Sequence, residues 1–131
     1  MTRLSIFLSL ALLLYACQQN PWRDGEWLYQ KNCASCHGET GQGLGELIPP
    51  LAGADFLEKN RDRLPCIVRN GLQDTIVVNG KTFAQPMAGV PHLSDIEITN
   101  LLNYVNHAWG NDYGVYKLEE VRGLLEKCAA R

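Results

Sequence analysis

The residues with the clearest chemical potential form the motif Cys33-Ala34-Ser35-Cys36-His37. Two thiols three positions apart, followed directly by a histidine, make the C-x-x-C-H spacing that is typical of covalent haem attachment. The thiols can add to the two vinyl groups of one porphyrin, and the adjacent imidazole can give a nitrogen ligand to the iron. The motif therefore predicts a single haem c bound through Cys33, Cys36 and His37.

Three other interpretations of the motif are a thioredoxin-like redox pair, half of a zinc site and a structural disulfide. A redox pair should follow a strand within a βαβ unit, and the residues before Cys33 show no such pattern. A zinc site with four ligands needs a second clustered pair of cysteines or histidines, which the sequence does not contain. Haem attachment is therefore the favoured interpretation.

The length and charge of the chain limit what else it can do. Its 131 residues fit one domain, and no internal repeat suggests a second one. Lys and Arg number 12 while Asp and Glu number 14, so the net charge is −2 and no basic run could neutralise a row of phosphates. Nucleic acid is therefore not expected as a partner, and the 46% apolar fraction indicates a globular fold.

The N-terminal segment has the composition of an export signal. Arg3 is the only charge before an uncharged, mostly apolar stretch over residues 4–16. This stretch is too short for a membrane-spanning helix but has the length of a signal-peptide core. Residues 1–16 are therefore predicted to be a signal peptide, and the protein is expected at the cell envelope, facing the periplasm or the exterior.

The signal segment ends in Leu14-Tyr15-Ala16-Cys17, which resembles a bacterial lipoprotein box. That resemblance implies that Cys17 receives a diacylglyceryl group and becomes the first mature residue. Residues 17–23 would then form a lipidated tether to a membrane, because several acyl chains anchor a protein stably. The alternative is an ordinary signal peptide cut nearby, with Cys17 incidental.

The first half of the remaining chain is predicted to be helical around a long loop. A helix over residues 24–34, capped by Asp24, carries the first cysteine of the motif. Four glycines and a proline pair make regular structure improbable over residues 37–50. A broken helix is predicted over residues 55–70, because Pro65 lacks an N–H and tends to start a helix.

The second half combines a hairpin with two helices. Asn79-Gly80 lies between two β-rich runs and predicts a tight turn, because both positions tolerate positive φ. Ser94 and Glu97 form a capping box that begins a helix over residues 95–109, with Trp109 on its apolar face. A last amphipathic helix is predicted over residues 117–129.

These features together resemble the class I, monohaem cytochromes c over residues 24–111. Gly25 and Tyr29 are similar to the glycine and aromatic residue of the family's first helix, and Leu101 and Tyr104 to their counterparts on its last helix. The resemblance implies a small all-α fold around one haem, with a short β-hairpin before the methionine loop. The hairpin is similar to that of a subgroup of bacterial envelope cytochromes.

The resemblance assigns a neighbour to the histidine ligand. Pro49, in the run Pro49-Pro50-Leu51-Ala52-Gly53, matches the proline of the family's Pro-x-Leu-x-Gly stretch. Its carbonyl is then expected to accept the ring N–H of His37, which would fix the tautomer and orientation of the imidazole. The alternative for both prolines is simple stiffening of the loop.

The resemblance also assigns the sixth iron ligand to Met87, which lies between the hairpin and the last helix of the family's fold. The only other methionine is Met1, in the signal segment. A thioether ligand favours ferrous iron and raises the reduction potential. The alternatives are that Met87 fills a gap in the core, or that His92 or His107 replaces it as ligand.

Filled axial positions predict an electron carrier rather than an enzyme, with other redox proteins as donor and acceptor. Such encounters use small, transient interfaces. One alternative is a haem-based ligand sensor or a peroxidase-like enzyme, in which Met87 is displaced. Another is a redox subunit of a larger oxidoreductase.

Two cysteines are left after lipid and haem attachment, Cys66 and Cys128. Cys128 lies on the apolar stripe of the helical extension predicted for residues 112–131. Export favours a disulfide between the two, which would fasten this extension to the rest of the fold. The alternative is a pair of buried free thiols.

Overall fold

A computed structural model describes residues 20–129, so the predicted signal peptide and Cys17 lie outside the described residues. The described part is mainly helical with two small antiparallel sheets, in agreement with the predicted fold class. The helices are α1 Arg23–Asn32, α2 Ala34–His37, α3 Asp55–Lys59, α4 Leu64–Asn70, α5 Asp95–His107 and α6 Leu118–Ala129. Short 3-10 turns occupy Arg61–Arg63 and Ala108–Gly110. Within residues 20–129, each helix is too short or too polar to cross a bilayer.

The helices α1 and α5 cross in close contact at Gly25. A Cβ atom on Gly25 would overlap the backbone oxygen of Asn100 and lie 2.6 Å from the Cβ of Tyr104. Overlap with backbone cannot be relieved by a change of rotamer, so the crossing needs glycine. The core forms around this contact from buried residues that include Leu28, Tyr29, Ile98, Leu101, Leu102 and Val105.

The start of α1 differs from the prediction, because Asp24 is not its N-cap. The helix begins at Arg23 after Trp22, and no side chain caps it. The Asn20 Oδ1 atom instead accepts the N–H of Trp22 at 2.9 Å and turns the chain into the helix. Asp24 lies in the first turn, where the helix dipole favours a negative charge.

The end of α5 also differs from the prediction. Its capping box is present, since the Glu97 N–H donates to Ser94 Oγ at 3.3 Å and the Ser94 N–H donates to the Glu97 carboxylate at 2.7 Å. The helix stops at His107 rather than near residue 109, because Trp109 adopts a left-handed backbone with φ of 55°. Trp109 therefore leaves the apolar face of the helix.

The broken helical region has the predicted form. α3 and α4 are separate helices, and Pro65 lies within the first two positions of α4. Gly71 follows α4 with φ of 83°, a backbone conformation that favours glycine and stops the helix.

Four short strands follow α4. They are β1 Gly71–Leu72, β2 Ile76–Val78, β3 Lys81–Phe83 and β4 Met87–Ala88. β2 and β3 form the predicted hairpin, with φ of 50° at Asn79 and 75° at Gly80. The Asn79 N–H also donates to Asp55 Oδ1 at 2.7 Å, so the turn is fastened to α3. β1 pairs with β4 in a second sheet that was not predicted, because two-residue strands carry almost no periodicity.

A polar linker over residues 111–117 leads from α5 to α6. Asn103 and Asn106, both buried on α5, donate to the carbonyl oxygens of Tyr116 and Gly114 at 3.1 and 2.9 Å. The linker is thereby held along α5 by side chains rather than by strand pairing. α6 then packs against both α5 and α4.

Cys66 of α4 and Cys128 of α6 are joined by a disulfide with a Cα–Cα distance of 6.0 Å. This agrees with the pairing predicted for the two cysteines outside the motif. An open cleft of about 440 Å³ lies beside the bond, between the disulfide and β1.

Candidate haem site

The motif lies where α1 gives way to α2. The N–H of Cys33 still donates to Tyr29 O at 2.8 Å, and the N–H of His37 donates to Cys33 O at 2.9 Å, so the motif keeps a helical spacing. As a result Cys33 is half-buried, Cys36 is exposed and His37 is buried. Both thiols are free and are not part of the disulfide.

The orientation of His37 is fixed by the loop that follows it. Its Nδ1 atom lies 3.0 Å from the carbonyl oxygen of Pro49, as the resemblance implied. A carbonyl can only accept, so Nδ1 carries the proton and Nε2 keeps its lone pair. Burial lowers the pKa of His37, and the hydrogen bond to Pro49 opposes this only in part. His37 is therefore a neutral imidazole with one nitrogen available to a metal.

A cluster of three aromatic rings supports the loop after His37. The ring centroid of Trp109 lies 4.9 Å from that of Tyr29 and 5.5 Å from that of Tyr104. The Tyr29 hydroxyl donates to Gly38 O at 2.5 Å. A Cβ atom on Gly41 would lie 2.6 Å from the Trp109 ring, so the loop passes directly over it. Sequence reasoning missed this support because it assigned Trp109 to the helix.

The two motif thiols differ in burial. Burial raises the pKa of Cys33 to about 11, with a further contribution from neighbouring Cys36. Cys33 therefore stays a protonated thiol against the apolar wall at neutral pH. Cys36 is open to solvent at the rim of the site.

Two adjoining cavities lie beside the motif. The outer one, of about 340 Å³, is lined by both thiols, His37 and Met87, and the inner one, of about 90 Å³, is lined by Cys33, His37 and Met87. Of these two cavities, the outer one reaches the usual size range of cofactor sites, about 300–1,000 Å³, and the inner one does not. The remaining inner wall is apolar and includes Leu57, Leu64, Ile67, Val68, Leu101 and Leu102.

Met87 reaches the cavity from β4. The structure pairs Met87 with Leu72 of β1, so the residue predicted to lie in a loop is held in a strand. The two alternative ligands lie elsewhere. His92 is exposed, and the ring of His107 stacks on Trp22 at 4.4 Å while its Nδ1 atom lies 2.8 Å from Asn103 O. Neither of them is among the residues of the described chain that line the two cavities.

The side chains around the cavities fit a haem c. They provide two free thiols for thioether bonds, an imidazole with a free Nε2 atom, a thioether and an aliphatic wall for the porphyrin faces. Clusters of three or more His, Cys, Asp or Glu that could hold a bare metal ion are absent from residues 20–129. The site therefore favours an iron that arrives inside a porphyrin.

Comparisons with known proteins match most of the chain. The family model described as Cytochrome c matches residues 23–109. Cytochrome c-552 of Thermus thermophilus is 37% identical over 113 residues, which cover 79% of this chain and 86% of that protein.

Two larger proteins contain a similar region. The cytochrome c subunit of the quinone alcohol dehydrogenase of Gluconobacter oxydans is 35% identical over 92 residues, covering 67% of this chain and 19% of that protein. Subunit CcoP of a cbb3-type cytochrome c oxidase from an Azospirillum species is 33% identical over 92 residues, covering 66% of this chain and 28% of that protein. The similar region thus occurs both as most of a small protein and as part of larger subunits.

Proposed function

This chain belongs to the class I, monohaem cytochrome c family, and from that premise we propose that it is a one-electron carrier with His37 and Met87 as axial ligands. Membership establishes covalently attached haem c and a role in electron transfer. The assignment of individual residues is the proposal. It is supported chiefly by one observation, that Cys33, Cys36, His37 and Met87 line one cavity.

Each residue has a distinct part in this proposal. Cys33 and Cys36 would form the thioether bonds by adding their S–H groups across the two vinyl groups, and His37 would bind the iron through Nε2. The carbonyl oxygen of Pro49 accepts a hydrogen bond from the Nδ1–H group of His37, so the imidazole stays in one tautomer and one orientation. The haem iron supplies one-electron redox chemistry, and the thioether of Met87 raises its potential.

The cavity favours carrying electrons over transforming a substrate. Cys33 and His37 are the titratable side chains that line the inner cavity within the described chain. Attachment and ligation use both of them, so the inner wall offers no further acid or base for proton transfer. Two protein ligands also leave the metal no open position for a substrate.

The ligand assignment is tested by a redox titration followed by visible spectroscopy. We expect a low-spin spectrum in both oxidation states, with the thioether-to-ferric charge-transfer band in the oxidised form. Met87→Ala should abolish that band, lower the potential and admit added imidazole, while His92→Ala is the matched control and should change none of these.

Two results would contradict the assignment. An unchanged band in Met87→Ala would remove Met87 as ligand. Ready carbon monoxide binding by the unmutated protein at neutral pH would instead favour the ligand-sensing or peroxidase-like alternative.

We further propose that the protein is exported and anchored to the envelope through Cys17. The lipoprotein-like box at residues 14–17 and the apolar segment before it support this. Cys17→Ser should move the protein from the membrane fraction to the soluble fraction, or block its maturation. Membrane retention of a correctly cleaved variant would argue for a different tether.

The partners proposed are other redox proteins that dock at the rim of the outer cavity. Leu47, 59% exposed, lies on that rim and offers an apolar contact to such a partner. A second candidate role is that of a subunit in a larger oxidoreductase, because two relatives carry subunit names. Stable co-purification with such a complex would favour the second role, and purification as a lone soluble cytochrome after delipidation would favour the first.

A further inference from the structure

Met87 is attached to the rest of the chain through the end of α4. The strand that carries it pairs with β1, in a register that sets Met87 opposite Leu72. Just beyond the strand, the Val90 N–H donates to Val68 O at 2.8 Å. Both anchoring points belong to α4 or to the two residues that follow it.

Two glycines bring these segments into backbone contact. A Cβ atom on Gly89 would lie 2.6 Å from Arg69 O, and one on Gly71 would overlap the carbonyl oxygen of Met87. The methionine segment, residues 87–90, therefore lies directly on the last turn of α4, with no side chain between them to absorb a displacement.

Three consecutive residues of α4 connect the disulfide to the haem wall. Cys66 is bonded to Cys128, Ile67 lines the inner cavity, and Val68 lines both cavities and accepts the hydrogen bond from Val90. A shift of α4 would therefore move the cavity wall and the methionine segment together.

The position of α4 depends strongly on α6. The helix has seven residues, and helices of that length are not stable without tertiary contacts. The disulfide supplies the covalent contact, and Asp95 adds a polar one, since it lies 2.8 Å from Arg69 and 3.8 Å from Arg122 of α6.

The side of β1 that faces the disulfide cleft gives the strand little support from packed side chains. Gly71 and Leu72 line the open cleft beside the disulfide, together with both of its cysteines. Because this side of β1 faces a cleft rather than packed side chains, the strand takes its position from α4. The disulfide is thus the covalent link that fixes α4, and through it β1.

We propose that the Cys66–Cys128 disulfide positions Met87 for iron ligation by fixing α4 and the β1–β4 pair. The inference rests on the proposed role of Met87 as ligand. Without the bond, α4 can move away from α6, and the thioether moves with β4. The ligand is then held less firmly, and added ligands compete with it more easily.

The test compares holoprotein carrying Cys66→Ser and Cys128→Ser with the unmutated holoprotein. We expect the double variant to show a weaker thioether-to-ferric band and a lower reduction potential. Its affinity for added imidazole should rise by about tenfold, equivalent to about 1.4 kcal/mol. If the variant does not fold, unmutated holoprotein can be reduced with dithiothreitol, alkylated with iodoacetamide and reoxidised with ferricyanide before the same measurements.

A control separates positioning from general loss of stability. Ser94→Ala removes the cap of α5 and destabilises the fold while it keeps the disulfide and both partners of the Asp95–Arg69 ion pair. Band, potential and imidazole affinity should stay unchanged in this variant. Equal shifts in Ser94→Ala, or a double variant with an unchanged band and potential, would overturn the inference. If the unmutated protein lacks the band and Met87→Ala changes nothing, the proposed ligation fails and the inference fails with it.

Discussion

The cavity wall beside His37 and the linker between α5 and α6 are held by different kinds of side chain. The inner cavity is lined almost wholly by aliphatic residues. The linker is held by hydrogen bonds, and these include two that join Asn111 Nδ2 to Val105 O at 2.8 Å and to Leu51 O at 3.0 Å. The first region presents an apolar surface, whereas the second pairs backbone carbonyl groups with side-chain donors.

Arg61 is the centre of the second region. Its guanidinium donates to Tyr113 O at 3.1 Å and to Val115 O at 2.7 Å, and it lies over the ring of Tyr116 at 3.7 Å. Burial raises the pKa of Tyr116, so its hydroxyl stays protonated and donates to Arg61 O at 2.7 Å. The backbone of the linker thereby finds its partners within the protein, as buried polar groups require.

The contrast between the aliphatic wall and the hydrogen-bonded linker indicates which parts of the fold depend on the cofactor. Exposing an aliphatic wall to water is unfavourable, and in the proposed site the porphyrin would cover it. The hydrogen-bonded linker requires no such cover. We therefore expect changes at the motif to disturb the wall first, and changes at Arg61 to disturb the linker first.

The largest effect is expected for Cys33→Ser combined with Cys36→Ser. Without either thiol no thioether can form, so acid-acetone extraction of the denatured protein should remove all of the chromophore. Ser35→Ala is the matched control, since Ser35 is exposed and lies between the two cysteines. Hydrogen exchange should rise in residues 64–72 before residues 103–116. Chromophore that stays with the double variant would contradict covalent attachment at these positions.

The next largest effect is expected for loss of the disulfide. The bond closes a loop with a sequence separation of 62 residues. Disulfides typically stabilise a fold by about 2–4 kcal/mol, and the entropy of the unfolded chain puts a loop of this size at the upper end of that range. Cys66→Ser with Cys128→Ser should lower the free energy of unfolding by that amount in urea titrations.

A thiol count on the unmutated protein, unfolded without reductant, provides the control. After haem attachment it should find no reactive thiol from this pair. Two reactive thiols would show that the cysteines are unpaired in the protein.

A smaller effect is expected for Arg61→Met, which keeps an unbranched stem that reaches about as far as Arg61 Nε but removes the hydrogen-bond donors. The Glu120 carboxylate is partly exposed, so the ion pair with Arg61 contributes little. The carbonyl oxygens of Tyr113 and Val115 lose a charged donor, which should cost about 2 kcal/mol in free energy of unfolding. The haem spectrum should not change.

Arg63→Met is the matched control for Arg61. Its guanidinium lies 3.4 Å from Asp74, and both side chains are more than half exposed. Such a pair contributes about 0–1 kcal/mol, so this variant should unfold close to the unmutated protein. Equal destabilisation by the two variants would contradict the special role given to Arg61.

The local parts of the structure follow from the sequence. The capping box of α5 and the Asn79-Gly80 turn each depend on residues within five positions of one another, and both are present as predicted. The family resemblance added two distant relations, the hydrogen bond between His37 and Pro49 and the crossing at Gly25.

The contacts that escaped prediction join residues far apart in the chain. Arg61 and Val115 are separated by 54 residues, and Leu51 and Asn111 by 60. No periodicity links such positions, because side-chain hydrogen bonds to irregular backbone leave no repeating pattern. One signal was available, since Asn103 and Asn106 place polar groups on a helix that is otherwise rich in apolar residues. Both asparagines are buried because the helix packs against other parts of the fold on several sides.

The smallest effect is expected at the capping box that begins α5. Hydrogen bonds from the backbone and side chain of Ser94 hold the pKa of Glu97 below its usual value of 4.5. A carboxyl whose pKa is lower in the folded protein stabilises the fold above its unfolded pKa, and the contribution is lost as pH falls through the folded value. Glu97→Gln should therefore flatten the loss of stability below about pH 4.5 in urea titrations, because the amide oxygen still accepts from Ser94 but does not titrate. Glu126→Gln, an exposed site on α6, should leave the acid dependence unchanged. If Glu97→Gln keeps the full acid dependence, the charge of Glu97 does not contribute to the free energy of unfolding through the capping box.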